Sequence, residues 1–129
     1  MHSIPIPITA VFAALLALML VAVNIRVTVH RAKKKISFFD GGDEALGRAM
    51  RVQGNFIEYV PLALALMAMI EWMGAVHWVV YLFGAALLVA RFAHAWGLYS
   101  GMFQARVFGT SVTWFLIAAG ALAVLGLVA

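Results

Sequence analysis

The chain contains no cysteine and few charged residues. The absence of cysteine excludes disulfides, thiolate metal sites and a protein thiol nucleophile, so any sulfur chemistry has to come from a ligand. Charged residues make up 11% of the 129 residues and hydrophobic residues 66%, whereas soluble domains have about 25% and about 45–50%. The composition therefore indicates an integral membrane protein.

Four apolar segments are long enough to cross a bilayer, since a helix needs about 20 residues to do so. We predict an all-α, integral membrane four-helix bundle with up-and-down topology and one domain over residues 1–129. Its helices are expected at about 4–29, 44–73, 77–100 and 105–128. The first segment lacks a basic leading region and exceeds the about 7–15 apolar residues of a signal peptide, so we expect it to be retained.

The nine lysine and arginine residues cluster at one end of such a bundle. They flank the first and third connections between helices, which lie on the same side of the membrane. The positive-inside rule places this side in the cytoplasm and both termini outside it. The run Lys33-Lys34-Lys35 is also explained by attraction to anionic lipid headgroups.

A polar cluster leads directly into the apolar part of the second segment. At about 100° per helical residue, Arg51, Asn55 and Glu58 share one face, with Tyr59 beside them. Gln53 adds a second amide to this region. Placing such groups in hydrocarbon is costly unless protein groups or a polar ligand satisfy them, so they mark a candidate functional site.

The third segment repeats this pattern, because Arg91 and His94 share one face and Tyr99 lies close by. Glu58 and Arg91 are each expected about 10 Å from the basic end, where an ion pair between them would join two helices. This ion pair would leave the other arginines at that end without an acidic partner, because Glu58 is the only expected buried acid. Surplus guanidinium indicates an anion, and Glu58 suits an ammonium group. Two ligands remain open: a molecule with several carboxylates and one amine, or an anionic lipid headgroup.

Other site types are less well represented in the sequence. We predict no metal site, because the histidines, including His2, lack ligand spacing and cysteine is absent. His94 is interpreted either as a hydrogen-bond donor to a ligand or as a satisfied buried histidine.

A small four-helix drug exporter has a similar length, but its first helix carries an essential acid and this one has none. The pair Gly97 and Gly101 favours close helix packing, and because four short helices enclose little volume we expect the chain to associate into an oligomer.

The chain resembles the MAPEG superfamily, the membrane-associated proteins in eicosanoid and glutathione metabolism, over essentially its whole length. Within that superfamily it is similar to the microsomal glutathione transferases and leukotriene C synthases, and it looks like a bacterial member. The resemblance implies a homotrimer in the bacterial inner membrane, with glutathione as co-substrate between subunits on the cytoplasmic side. Two motifs carry it, Arg51-x-Gln53-x-Asn55-x-x-Glu58-Tyr59-x-Pro61 after Arg48, and Ala90-Arg91-x-x-His94.

The resemblance also implies a role for each matching position. Arg106 aligns, after a one-residue insertion, with the arginine that stabilises the glutathione thiolate, so we predict it as the catalytic residue. That thiolate would attack a lipophilic electrophile from the bilayer or reduce a hydroperoxide. His94 departs from the pattern, because the animal enzymes have a tyrosine there. The residues expected to bind glutathione are Arg31, Arg48, Arg51, Gln53, Asn55, Glu58, Tyr59, Arg91, His94 and Tyr99. The alternative function is a non-catalytic membrane protein that binds anionic lipid headgroups on the same fold.

Overall fold

The computed structural model describes residues 3–129, so Met1 and His2 lie outside it. All four of its helices are long and apolar enough to cross a membrane, which confirms the predicted all-α membrane bundle. The first helix continues past the predicted end at Val29, and the last begins before the predicted start. The helices are α1 (Pro7–Lys34), α2 (Glu44–Trp72), α3 (His77–Ser100) and α4 (Phe103–Val128).

Local sequence explains where the helices begin and end. Pro7 opens α1, at a position where its missing amide proton costs nothing. Asp43 caps α2, as its position in the sequence indicates, by accepting a hydrogen bond from the amide of Leu46 at 2.8 Å. This hydrogen bond holds the pKa of the Asp43 carboxyl below its usual value, and Lys34, 3.3 Å away, acts in the same direction. Gly101 ends α3 with φ of 78°.

The central pair of helices is α2 and α3. Each of them packs against α1 and α4, whereas α1 and α4 do not contact each other within residues 3–129. A continuous apolar core fills the middle of the bundle and includes Leu16, Met67 and Leu87. We call the end where α1 and α3 finish and α2 and α4 begin the basic end, because the arginines of the polar cluster lie towards it.

The buried acid of the bundle lies at the opposite end. Glu71, which is 7% exposed, accepts hydrogen bonds from the amides of Ile8 at 2.8 Å and Thr9 at 2.7 Å. The carboxylate therefore caps the N-terminus of α1, where its charge is favourable. The expectation that Glu58 is the only buried acid was wrong, because the Glu58 side chain is 48% exposed.

Glycine lets α3 and α4 approach closely on the side that carries the polar residues. A Cβ at Gly97 would overlap the backbone of Arg106, and a Cβ at Gly109 would overlap the carbonyl of Ala90 and the side chain of His94. Gly101 instead ends α3. The predicted close helix packing is confirmed at Gly97, where α3 meets α4 within the protomer.

Candidate functional site

A buried arginine lies at the centre of the polar network. Arg91 is 1% exposed, and its Nη2 donates to Oδ1 of Asn55 at 2.7 Å and lies 3.3 Å from Nδ1 of His94. Its Nη1 donates to the hydroxyl of Thr113 at 3.4 Å, and that hydroxyl donates to the carbonyl of Gly109 at 2.7 Å. The network thus joins α2, α3 and α4 through neutral acceptors.

Arg91 also fixes which atoms of its neighbours remain available. A guanidinium group can only donate, so Nδ1 of His94 accepts, and the imidazole is neutral with its proton on Nε2. By the same argument the carbonyl oxygen of Asn55 is used, which leaves its amide group as a donor. Both side chains therefore keep a hydrogen-bond donor available for a ligand.

These two donors line a cavity of about 410 Å³ between α2 and α4. Its volume lies within the range of about 300–1,000 Å³ that is usual for small-molecule sites. Two arginines line it and no carboxylate does, so the cavity favours an anion. Its lining residues are Arg51, Asn55, Tyr59, His94, Phe103, Arg106, Val107, Thr110, Ser111 and Trp114.

Arg51 is held at the edge of this cavity by an ion pair with Glu58. Its Nη1 lies 3.3 Å from Oε1 and its Nη2 lies 3.5 Å from Oε2, and both side chains are about half exposed. The predicted ion pair between Glu58 and Arg91 is therefore absent. Arg91 contacts Asn55 instead, because Asn55 lies on the buried side of α2 while Glu58 faces outwards.

Two further predicted residues make structural contacts within the protomer. Arg31 donates to the carbonyl of Phe39 at 2.7 Å and to that of Ile36 at 3.4 Å, so it holds the connection after α1. Gln53 donates to the side-chain oxygen of Asn24 at 2.8 Å and joins α2 to α1. Neither residue lines the α2–α4 cavity.

The remaining two predicted residues lie at a different cavity. Arg48 forms an ion pair with Glu44, and the ring of Tyr99 lies beneath the guanidinium of Arg26, 3.8 Å from its carbon to the ring centroid. All four residues line a cavity of about 340 Å³. The structure therefore brings Arg51, Asn55, Tyr59, His94 and Arg106 together, with Arg91 behind them, and separates Arg48 and Tyr99 from them.

Sequence reasoning missed the contribution of α4 to the cavity wall. The ring of Trp114 packs edge-to-face on Tyr59, with centroids 6.2 Å apart. Thr110 and Ser111 also line the cavity, and they are two of the few polar residues of α4. Thr110 lies four residues after Arg106 and therefore shares its helical face, which was the available signal for Thr110, whereas Ser111, five residues after Arg106, had no such signal. No group of three histidine, aspartate or glutamate side chains within residues 3–129 is arranged to hold a metal ion.

Comparison with known proteins identifies relatives along most of the chain. The model of the MAPEG family matches residues 9–126. Two curated proteins, from Escherichia coli strain K12 and from Escherichia coli O6:H1, are each 36% identical over 107 residues. This stretch covers 83% of the present chain and 82% of each relative, and both are named inner membrane protein YecN. That name states a location and assigns no reaction.

Proposed function

The chain belongs to the MAPEG family, and on that premise we propose that it is a glutathione-dependent membrane transferase or peroxidase. Glutathione is the co-substrate, and no metal takes part. The observation that carries the proposal is the donor-rich cavity between α2 and α4, where two arginines face a ligand space that contains no carboxylate.

The chemistry of glutathione matches this set of groups. The tripeptide carries two carboxylates, one amine, two amides and a thiol. Arg51 suits a carboxylate, and the donors of Asn55 and His94 suit carboxylate or carbonyl oxygens. Glu58, which is half exposed beside Arg51, suits the amine. The amine therefore has an acid available at the edge of a cavity that otherwise favours anions.

Arg106 is proposed to activate the thiol. A free thiol has a pKa of about 8.5, and a guanidinium in a site of low dielectric favours the thiolate, which is the nucleophile. Arg106 makes no ion pair within residues 3–129, so its charge is not neutralised by a neighbouring acid. Arg106 also lies in the first turn of α4, where its backbone packs closely against Gly97.

The apolar part of the wall is proposed to receive the second substrate. Phe103, Val107 and Trp114 offer a surface for a lipophilic electrophile that arrives from the bilayer. In conjugation, the sulfur forms a bond to an electrophilic carbon, and the leaving oxygen of an epoxide takes up a proton. In peroxide reduction, the thiolate attacks the hydroperoxide to give an alcohol and a sulfenic acid, which a second glutathione converts to the disulfide and water.

The assembly that we propose is a homotrimer with glutathione between subunits. The cavity lies where α2 meets α4, and α1 of the same protomer does not contact α4 within residues 3–129. We propose that a neighbouring subunit closes the cavity on the side that α1 leaves uncovered. We further propose that the chain lies in a bacterial inner membrane, with the basic end in the cytoplasm and both termini in the periplasm, because the lysines and arginines concentrate at that end.

The test is a calorimetric titration with glutathione on detergent-purified protein, followed by the ultraviolet absorbance of the bound thiolate. Arg51→Ala should weaken binding by at least about tenfold, the equivalent of one charge-assisted hydrogen bond of about 1.5–3 kcal/mol. Arg106→Ala should retain binding but lose the thiolate absorbance. Lys33→Ala removes an exposed cation outside the cavity and serves as the matched control, which should bind as the wild type does.

The same titration separates the enzyme from a binding protein for lipid headgroups. Glycerol phosphate, added in excess, should not displace glutathione from the proposed site. The absence of saturable binding at millimolar glutathione, in protein that melts cooperatively, would exclude the transferase and peroxidase functions. Displacement by glycerol phosphate would instead favour a non-catalytic headgroup site.

A further inference from the structure

A second groove lies between α1 and α3, away from the α2–α4 cavity. Its polar part is the cavity of about 340 Å³ lined by Arg26, Glu44, Arg48 and Tyr99. An apolar cavity of about 300 Å³ adjoins it, because Arg26 and Tyr99 line both. The apolar part is walled by side chains of both helices, including Met19, Ala22, Phe92 and Trp96.

The polar part of the groove carries one uncompensated positive charge. Arg48 pairs with Glu44, whereas Arg26 makes no ion pair within residues 3–129. The guanidinium of Arg26 is held over the ring of Tyr99, 3.8 Å from its centroid, so its position is fixed before any ligand arrives. Two arginines and one glutamate therefore leave a net charge of +1 at a defined place.

The polar and apolar parts of the groove follow one another in the same order as the headgroup and acyl chains of a membrane lipid. Arg26 lies about 12 Å along α1 from Lys34 at the basic end, and Met19 lies about 10 Å further towards the centre of the bundle. The positive charge is thus on the side of the headgroups, and the apolar walls run towards the hydrocarbon interior. A protein segment docked here would have to bury the charge of Arg26, whereas an acidic lipid satisfies both parts of the groove at once.

We infer that this groove binds one acidic phospholipid, with its phosphate at Arg26 and one acyl chain between α1 and α3. The inference does not rest on glutathione binding, because the two sites share no lining residue. It also gives Arg48 and Tyr99 a role outside the α2–α4 cavity. In the second groove, Tyr99 positions Arg26, and Arg48, whose charge is neutralised by Glu44, lines the polar part.

Trp96 provides a direct probe, because it lies in the apolar part and is 62% exposed. The other tryptophans are replaced by phenylalanine, in the combined variant Trp72→Phe, Trp78→Phe and Trp114→Phe. This protein is reconstituted in phosphatidylcholine vesicles that contain a small fraction of brominated phosphatidylglycerol or, separately, of brominated phosphatidylcholine. Bromine on the acyl chain quenches only a tryptophan that it contacts.

Brominated phosphatidylglycerol should be about fivefold more effective than the same fraction of brominated phosphatidylcholine, the factor given by about 1 kcal/mol for one interfacial cation. Arg26→Gln should remove this preference, and Ala22→Phe, which fills the groove, should remove it too. Lys33→Gln deletes an equal charge outside the groove and should leave the preference intact.

Two results would overturn the inference. Equal quenching by the two lipids in the parent protein would mean that Trp96 contacts only bulk lipid. A lack of quenching by both would mean that protein covers the groove. Thermal melting of each variant is measured alongside, so that loss of the fold is distinguished from loss of the lipid.

Discussion

Arg91 donates from Nη2 to Oδ1 of Asn55 at 2.7 Å, and this hydrogen bond joins α3 to α2 without any acid nearby. Arg91 is fully enclosed, yet its ligands are an amide, an imidazole and a hydroxyl. Burying a charge in this way is costly unless each donor is satisfied. Nε of Arg91 has no hydrogen-bond partner within residues 3–129, so burial of this charge costs some stability while its contact orders Asn55 for the cavity.

The coupling between these two residues can be measured directly. Arg91→Met leaves Oδ1 of Asn55 buried without a donor, and Asn55→Leu leaves the guanidinium without its best acceptor. The double variant loses both groups together, so it should be more stable than the sum of the single effects predicts, by about 1.5–3 kcal/mol. The measurement is the free energy of unfolding of the three variants in detergent. Additivity within about 0.5 kcal/mol would show that the two residues act independently.

The sequence was sufficient to predict the helices and the region of the site. Apolar runs longer than a bilayer requires made each helix evident, and Asp43 before Glu44 indicated the start of α2. Helical spacing placed Arg51, Asn55 and Glu58 on one face with Tyr59 beside them. Arg51, Asn55 and Tyr59 line the same cavity, whereas Glu58 pairs with Arg51 outside its lining. These predictions depend on periodicity and length within one helix, which local sequence determines.

The pairing of side chains between helices was not predictable in the same way. Glu58 and Arg91 have the right depths for an ion pair, but the rotation of α2 about its axis sets Asn55 towards Arg91 and Glu58 away from it. Rotation is fixed by packing between helices, for instance at Gly120 of α4, where an added Cβ would lie 3.2 Å from the Cβ of Leu66 in α2. The cap that Glu71 provides is a contact between residues 63 positions apart, for which the sequence offered no local signal.

The cap at Glu71 should stabilise the N-terminus of α1. Glu71→Leu removes both acceptors, so the amides of Ile8 and Thr9 lose their partners and the first turn of α1 should open. Amide hydrogen exchange should increase at these two residues, and the melting temperature should fall. Glu71→Gln keeps one acceptor and should lie between the wild type and Glu71→Leu.

Glutathione binding provides the control for this change. Glu71 lies at the opposite end of α2 from Arg51, so both Glu71 variants should bind glutathione as the wild type does when they are folded. Unchanged exchange at Ile8 and Thr9 in Glu71→Leu would show that the carboxylate does not cap α1.

The cap at Asp43 should make the start of α2 sensitive to acid. The amide of Leu46 lowers the pKa of this carboxyl in the folded protein, so its contribution is complete above the ordinary value of about 3.9. It is lost as the pH falls through the lower folded value. Exchange protection of the Leu46 amide, corrected for the intrinsic rate, should therefore fall in that acid range.

Asp43→Asn tests the assignment of this transition. Asparagine keeps a side-chain acceptor for the Leu46 amide but does not titrate. Protection at Leu46 should then be independent of pH over the same range. A similar loss of protection in Asp43→Asn would assign the transition to another carboxyl, of which Glu44 is the nearest in sequence.

The close approach of α3 and α4 should be necessary for the cavity. A methyl group at position 109 would overlap the carbonyl of Ala90 and the side chain of His94, so Gly109→Ala has to separate the helices or displace His94. Overpacking of this kind costs about 1–3 kcal/mol, and it should also weaken glutathione binding, because His94 lines the cavity.

Gly126→Ala is the matched control in the same helix, since nothing lies within 4 Å of the added atom. It should melt at or above the wild-type temperature, because alanine is favoured over glycine in a helix by about 1 kcal/mol. Equal melting temperatures and equal glutathione affinities for Gly109→Ala and Gly126→Ala would mean that the contact at Gly109 neither stabilises the bundle nor shapes the site.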